Sequence, residues 1–257
     1  MIEPQEDGDA EATGDAPRTV LITGAAGNIG GKLRAAWAGV YDLLLVDAAA
    51  GPDDPEVVVA DLAEFDEDWF DLFQGVDTVV HLAANPSELA SWEELQGPNL
   101  DAMANVLHAA ALAGVDRVIF ASSNHAMGGY RDLGNGPITE ELPPRPGNPY
   151  GATKLMGERL GKCCADAFDL DFVALRLGWV QRGANRPATL PDEWSRSIWL
   201  SDGDCVRLFT CAVEADLGGR NFLIVNGMSR NAGTRWDLSW AAEAIGYEPE
   251  EDAATAG

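Results

Sequence analysis

The chain has 257 residues, 46% of them hydrophobic and 8% aromatic, enough for one sizeable core and short for two independent domains. Its 42 acidic residues against 17 basic ones give a formal charge of -25, which argues against nucleic-acid or anionic-membrane partners, because phosphate recognition needs clustered lysine and arginine. No apolar run reaches the ~18 residues of a membrane span, and the N-terminus is acidic where a signal peptide is basic and then apolar, so the cytoplasm is the expected compartment.

Lysine occurs only at Lys32, Lys154 and Lys162, and acid is spread along the whole chain. That balance points to a halophilic protein, whose carboxylates keep the surface hydrated while salt screens their repulsion. Cys163, Cys164, Cys205 and Cys211 contain no C-x-x-C, and the histidines show no H-x-x-x-H spacing. The cysteines therefore read as small buried hydrophobes, and no metal site is expected.

Residues 1–17 are acidic and lack aromatics, as a disordered tail does. Thr19 to Thr23 reads as a buried strand, followed by Gly24-Ala25-Ala26-Gly27-Asn28-Ile29-Gly30 and a helical stretch to about Trp37. Glycines at G-x-x-G-x-x-G spacing between a strand and a helix let the chain turn tightly and bring a pyrophosphate onto backbone N–H groups at the positive helix end. A second strand, Asp42 to Val46, ends at Asp47, where an acid accepts from both ribose hydroxyls and repels a 2'-phosphate, favouring NAD over NADP. A third, Val57 to Ala60, stops at Asp61-Leu62, and a fourth, Thr78 to Leu82, ends in the small pair Ala83-Ala84. From Trp92 the pattern is helical through Gly114, with His108 as a helix-face residue. Arg117 to Ala121 is a fifth strand, with Ser122-Ser123-Asn124-His125 at its carboxyl end, where ligands gather in a parallel sheet.

After a Gly/Pro-rich excursion from Gly128 to Gly147, Tyr150 and Lys154 open a helix that runs to about Ala167. At that spacing a phenol and an ammonium share one helix face, and the cation is expected to lower the phenol's pKa toward a useful range. Taken alone, Tyr-x-x-x-Lys is an ordinary helix pair; its place after the glycine loop, Asp47 and Ser123 gives it weight. A sixth strand covers Asp171 to Leu177, then an irregular stretch from Gly178 to Ser201 carries Trp179, Trp194, Trp199, Arg182, Arg186 and Arg196, a composition suited to anion or sugar recognition. A helix from about Asp202 to Glu214, a strand from Asn221 to Val225 and a helix from Trp236 to Ile245 precede an acidic tail at 249–257. Alternating strands and helices predict an α/β fold, a Rossmann-type doubly wound parallel sheet over 18–248 with a small C-terminal substrate-binding region. Substrate-binding elements are expected around 85–97, 124–149 and 178–240.

The ordered set Thr23 to Gly30, Asp47, Asp61, His81-Leu82-Ala83-Ala84, Ser123 and Tyr150-x-x-x-Lys154 resembles the extended short-chain dehydrogenase/reductase superfamily of NAD-dependent epimerases and dehydratases across about residues 18 to 248. More narrowly, Phe120 to His125, Arg145-Pro146 before Tyr150-Gly151, Trp199-Leu200-Ser201 and Asn231-Ala232-Gly233 before Trp236-Asp237 look like the uronate dehydrogenases and haloarchaeal NAD-dependent glucose-6-phosphate dehydrogenases. The resemblance implies NAD contacts at Gly24, Gly27, Asn28, Ile29, Gly30, Asp47, Asp61 and Leu62. It extends them to Leu82, Ala83, Ala84, Asn99, Ser122, Tyr150, Lys154 and Leu177. Substrate contacts are implied at Ser123, Asn124, His125, Tyr150, Trp179 and Arg196.

On the same resemblance Tyr150 is the base that takes the proton of a sugar C1 hydroxyl, Lys154 tunes it and holds the nicotinamide ribose, and Ser123 orients the substrate oxygen. The product is a lactone. The chain departs from the uronate pattern in that Trp179 stands where that group has a substrate-contacting serine, and Arg196 lies out of register with its carboxylate-binding arginine. The substrate class therefore stays open among uronate, hexose 6-phosphate and free aldose. The competing readings are a nucleotide-sugar epimerase or dehydratase and a non-catalytic NAD-binding protein. The resemblance also suggests a homo-oligomer.

Overall fold

Alternate residues of the first strand, β1 (Thr19–Thr23), enter different cores: Val20 and Ile22 pack in one cluster and Leu21 in another. A strand apolar on both faces requires helices above and below it, which is what the chain builds. The structure, a computed structural model, describes residues 16–51 and 54–256, so most of the acidic tail expected at 1–17 lies outside the described residues. Seven parallel strands stand in the order β3-β2-β1-β4-β5-β6-β7, with β2 Asp42–Asp47, β3 Val57–Val59, β4 Thr78–His81, β5 Arg117–Ser123, β6 Asp171–Leu177 and β7 Phe222–Gly227. The order reverses between β1 and β4, and a crevice opens outside the carboxyl ends of the strands at such a point.

One face is covered by α1 (Asn28–Trp37), α7 (Asp202–Glu214) and α8 (Ser239–Ile245), which bring Trp37, Phe209, Ala241 and Ile245 onto the inner side chains of the strands. On the other face α2 (Glu67–Phe70), α4 (Ala102–Ala113) and α5 (Pro149–Ala167) supply Trp69, Val106 and Ala165. Each fully buried Leu, Val or Phe in these clusters contributes about 1.5–3 kcal/mol of transfer free energy. A third, smaller cluster of Met127, Ile138, Ile198, Met228 and Trp236 sits under the segments at the carboxyl rim.

Several boundaries differ from the sequence expectation. The helix expected from Trp92 to Gly114 is broken into α3 (Trp92–Leu95), a π-helical turn (Gln96–Asp101) and α4. Pro98 lies in the turn, where its missing N–H and bulky ring disrupt regular α-helix bonding. The irregular stretch from Gly178 to Ser201 contains α6 (Glu193–Ser197), capped by the Asp192 side chain. The last helix begins at Ser239, because Trp236 is engaged in a parallel bridge with Ile138. There the excursion from 128 to 147 runs along the open edge of the sheet, and the Asn226 N–H donates to Glu140 Oε1 at 2.8 Å, which satisfies an otherwise bare edge group.

Cys163 is exposed, contrary to its reading as a buried hydrophobe; Cys205 is buried and Cys164 and Cys211 are partly so. It falls on the outer side of α5, whose inner side carries Thr153, Gly157 and Gly161. The C-terminal stretch from 249 is tied down along its described part. Asp204, fully buried at the start of α7, accepts the N–H of Glu250 at 2.8 Å and of Glu251 at 3.1 Å, and the hydroxyl of Ser229 at 2.6 Å. Among the described residues no helix is long and apolar enough to cross a membrane.

Candidate active site

The turn after β1 is shaped by what it excludes. Gly24 has φ +72°, and a Cβ there would lie 2.7 Å from the backbone N of Ala83 in the β4 exit. A Cβ on Gly30 would lie 2.4 Å from Gly24 O, so the first turn of α1 seats directly on the loop. No side chain caps α1, in contrast to α3, α5 and α7, which Ser91, Asn148 and Ser201 cap. Its first N–H groups therefore face outward with the positive helix end, the arrangement that takes an anion. Asp47 stands at the end of β2 with Oδ2 accepting the Ala26 N–H at 3.0 Å, which holds the carboxylate beside the loop. These residues fit a dinucleotide whose pyrophosphate meets the loop and whose ribose meets Asp47.

Other residues expected to touch the cofactor serve partly as braces. The Asn28 amide donates to the carbonyls of Val180 and Gln181 at 3.1 and 3.2 Å, which draws the segment after β6 over the glycine loop. Ile29 packs against the α1-side core. Asp61 accepts the Ala63 N–H at 3.0 Å and is exposed, whereas Leu62 is buried beneath it. Leu82 and Ala83 continue from β4 by bonding to Thr23 O and Thr23 Oγ1, and Ala84 is half-buried next to them. The Asn99 side chain is spent on Asn85, at 2.8 and 3.1 Å, and on Thr153 of α5 at 3.1 Å. It pins the loop after β4 to the helix.

Tyr150 and Lys154 lie one turn apart at the start of α5, which Asn148 caps by accepting the Gly151 N–H at 2.7 Å and which Pro149 opens. Lys154 is buried, with Nζ 4.9 Å from the Phe120 ring centre and 5.6 Å from that of Tyr150. Burial without an anionic partner pushes its pKa down to about 7. Burial also pushes the Tyr150 phenol up to about 12, opposed by a hydrogen bond with Ser123. Burial thus outweighs the lowering expected from Lys154: its ammonium lies over the ring faces, and desolvation dominates for both groups. His81, buried one strand over and hydrogen-bonded through Nδ1 to Thr23 Oγ1 at 2.8 Å, is held neutral, its pKa down to about 3 by burial and then by the charge of Lys154.

At the end of β5, Ser123 accepts the His125 N–H at 3.1 Å. The Asn124 amide donates to Leu177 O at 3.0 Å and so ties the exits of β5 and β6 together. His125 stands edge-on to Tyr150 with ring centres 5.5 Å apart, its Nδ1 3.0 Å from the Asn148 amide and its Nε2 3.6 Å from Glu88. Burial lowers its pKa and Glu88 opposes that. Ser123, His125, Tyr150 and Lys154 thus converge. Ser122 does not join them: its hydroxyl donates to Glu158 at 2.7 Å.

Trp179 and Arg196 belong to the rim. Trp179 is 41% exposed and its backbone is clamped by Ile198 O and Leu200 N at 2.7 and 3.1 Å. Arg196 is exposed on α6, which is fastened to the segment after β5 by the Arg131–Asp192 pair at 2.7 Å. The sequence reading missed Glu158 and Arg176. Glu158 continues the Tyr150 and Lys154 face of α5, and its carboxylate accepts from Arg176 Nε and Nη2, both at 2.8 Å, with neither side chain exposed. A signal was present: Arg176 is a charge inside the otherwise apolar run FVALRL from Phe172 to Leu177, and Glu158 repeats the four-residue step from Lys154.

Comparison with known proteins places the chain among NAD-linked enzymes. The profile described as the NAD dependent epimerase/dehydratase family matches residues 20–189. L-arabinose 1-dehydrogenase (NAD(P)(+)) of Haloferax volcanii is 35% identical over 92% of this chain and 98% of that protein. NAD-dependent glucose-6-phosphate dehydrogenase of the same organism is 33% identical over 91% and 94%. Among solved structures, a mutant uronate dehydrogenase from Agrobacterium tumefaciens complexed with NAD superposes with a TM-score of 0.79 at 28% identity, covering 93% of this chain and 87% of that one.

Proposed function

The chain belongs to the NAD dependent epimerase/dehydratase family, and from that premise we propose that it oxidises the C1 hydroxyl of a sugar to a lactone with NAD. The observation that carries the reading is the convergence of Ser123, Tyr150 and Lys154 at the carboxyl ends of β5 and β6, within one sheet whose first turn is a glycine loop. NAD supplies the hydride acceptor, and its oxidised nicotinamide carries a positive charge. The chain's own task is the proton. Tyr150 takes it from the C1 hydroxyl as the phenolate and is left as the phenol, and the groups that stabilise the phenolate beforehand are Ser123, by hydrogen bond, and Lys154, by charge. With burial pushing the phenol up to about 12, the phenolate forms as those two groups, joined by the positive charge that bound NAD would bring, draw the pKa back down. The His125 N–H donates to Ser123, the Asn124 amide ties the exits of β5 and β6 together beside it, and backbone bonds to Ile198 and Leu200 hold Trp179 in place at the rim. Such positioning accounts for much of an oxidoreductase's protein contribution.

NAD is preferred over NADP because the Asp47 carboxylate beside the loop repels a 2'-phosphate. The substrate-binding segments are 85–97, 124–149 and 178–240, on a single dinucleotide-binding domain spanning 18–248. The acidic composition fits a cytoplasm rich in salt, and the two curated relatives named above come from Haloferax volcanii. Met156 and Leu160 on the outer face of α5 and Leu112 on α4 are exposed, a surface suited to pairing with a second copy, which sedimentation at several salt concentrations measures. The test of the activity is NADH formation from glucuronate, galacturonate, glucose 6-phosphate, glucose, xylose and arabinose, each with NAD and with NADP, in dilute and molar salt. Turnover of at least one sugar, preferring NAD, is expected; no NADH from any of them refutes the reading.

A further inference from the structure

The Glu158–Arg176 pair is built for direction. Removing two charges from water costs several kcal/mol per ion, so a fully buried pair adds little net stability over apolar residues of the same size. What it adds is geometry. The guanidinium meets the carboxylate through two parallel bonds, Nε to Oε1 and Nη2 to Oε2, both 2.8 Å, which fixes the carboxylate's plane as well as its place. Ser122 Oγ adds a third bond to Oε1 at 2.7 Å. Ser122 and Arg176 are register partners on β5 and β6, so the three side chains join two strands and one helix at a single point.

The surroundings of that point are smooth. A Cβ on Gly157 would lie 2.6 Å from the Phe120 ring, and one on Gly161 would lie 2.1 Å from the Phe172 ring, so α5 rests with bare backbone on two aromatic faces. Ring against backbone sets the height of the helix above the sheet but resists sliding along its axis weakly. Ser122 precedes Ser123, and Glu158 lies one turn beyond Lys154 on the Tyr150 face. A shift of α5 at Glu158 is therefore a shift between Tyr150 and Ser123.

We propose that Glu158, held by Arg176 and Ser122, is a positioning residue that fixes the axial register of α5 and so the spacing of Tyr150 and Lys154 from Ser123. The inference rests on Tyr150 being the base. A second consequence is electrostatic: paired, the two charges cancel at Tyr150, and removing either one leaves a net charge in the interior, which Glu140, whose carboxyl feels Arg176, offsets only in part when Glu158 is the one removed. Other titratable groups facing this face are His125, with Glu88 behind it, and His81 from β4, which faces Lys154. The segments packed on α5 otherwise offer Ser123 and the amide of Asn99, while Glu93, Glu94 and Asp101 of α3 and the π-helical turn and His108 of α4 are exposed; β7 carries no charge, but Glu140, bonded to the Asn226 N–H on its edge and raised by burial, feels the charge of Arg176 and, behind it, of Asp237.

The test compares Glu158→Gln, Arg176→Met, the double variant and Glu158→Asp with the wild type, with Tyr150→Phe run alongside. Glu158→Gln leaves Arg176 unpaired and moves the acid limb of the kcat/KM profile to lower pH; Arg176→Met moves it to higher pH. At about 12 Å along the helix and an effective dielectric near 20, each move is about one pH unit. The double variant restores the limb while kcat stays about tenfold low, since sub-ångström register loss is costly in rate. Glu158→Asp keeps the charge and shortens the reach, so the limb stays and kcat falls. Independently of turnover, amide exchange across 149–158 rises in every one of these variants while that of α7 does not. A purely structural pair gives no limb shift or shifts of the same sign, and together with wild-type kcat in Glu158→Asp either result overturns the proposal. Full turnover by Tyr150→Phe refutes the base assignment and the inference with it; an inactive Tyr150→Phe beside unmoved limbs refutes the inference alone.

Discussion

The Tyr150 helix and the segment from Gly178 to Ser201 meet at the carboxyl ends of β5 and β6, yet they are held by different means. α5 is 19 residues long, and its inner face of Thr153, Lys154, Gly157, Glu158, Gly161 and Ala165 is buried on the sheet. The other segment contains only a five-residue helix and a short 3-10 turn, and is fixed by scattered bonds. Asn185 donates to Leu200 O at 2.8 Å, the Trp199 indole N–H donates to Asn185 at 2.7 Å, and Asn28 reaches across from the glycine loop. On the proposed reading, the groups that move protons sit on the rigid element, and the groups suited to choosing a sugar sit on the bonded loop. That division lets one reaction be kept while the substrate is changed, since loop residues vary at little cost to the sheet.

The sharpest way to break the comparison is Tyr150→Phe, which should lower kcat/KM about 10³-fold with far-UV circular dichroism unchanged. On the loop side, Asp204→Ala removes the buried acceptor that gathers Ser229, Glu250 and Glu251 just after Ser201. A loss of about 3 kcal/mol in urea unfolding is expected, with KM rising more than kcat falls. Gly161→Ala drives a methyl into the Phe172 ring and should cost about 1–3 kcal/mol by the same measurement, with kcat falling because α5 is lifted.

The pH dependence of stability separates the two regions further. Lys154 has a folded pKa of about 7 against 10.5 for the ordinary group. Between those values the unfolded chain binds the extra proton, so stability rises as pH climbs from 7 toward 9. Above that range the raised Cys205 thiol and Tyr150 phenol, both near 12, pull the other way. Urea midpoints should show the rise in wild type and a flatter profile in Lys154→Met. The smallest effect is reserved for the rim: Arg196→Ala should raise KM for anionic sugars less than about tenfold and leave kcat and the unfolding midpoint unchanged.

Much of the sheet and of the candidate site was legible in the chain because both depend on local pattern. Val20 to Ile22, Val79 and Val80, and Phe172 to Leu175 are apolar runs bounded by turn residues, and they became strands. The four-residue step from Tyr150 to Lys154 is a property of helix geometry alone. Pro98 stood inside the helix expected from Trp92 to Gly114, but the π-helical turn there forms as α3 packs against α5 while α4 packs on the sheet. Glu158 and Arg176 are separated by 18 positions, and their bond exists only once α5 lies over β6.

The sequence by itself determined the order of strands and helices, the glycine turn, and the pairing of a phenol with an ammonium, since each follows from periodicity or from a residue's own backbone freedom. Only the tertiary structure decided the ionisation of that pair. Burial between α5 and the sheet moves Tyr150 to about 12 and Lys154 to about 7, a desolvation effect that exists only once the helix lies on strands distant in the chain. It also decided where Cys163 and the C-terminal stretch lie and which strand the Glu158 carboxylate meets. Those are contacts between elements, and no spacing along one element encodes its distance from another.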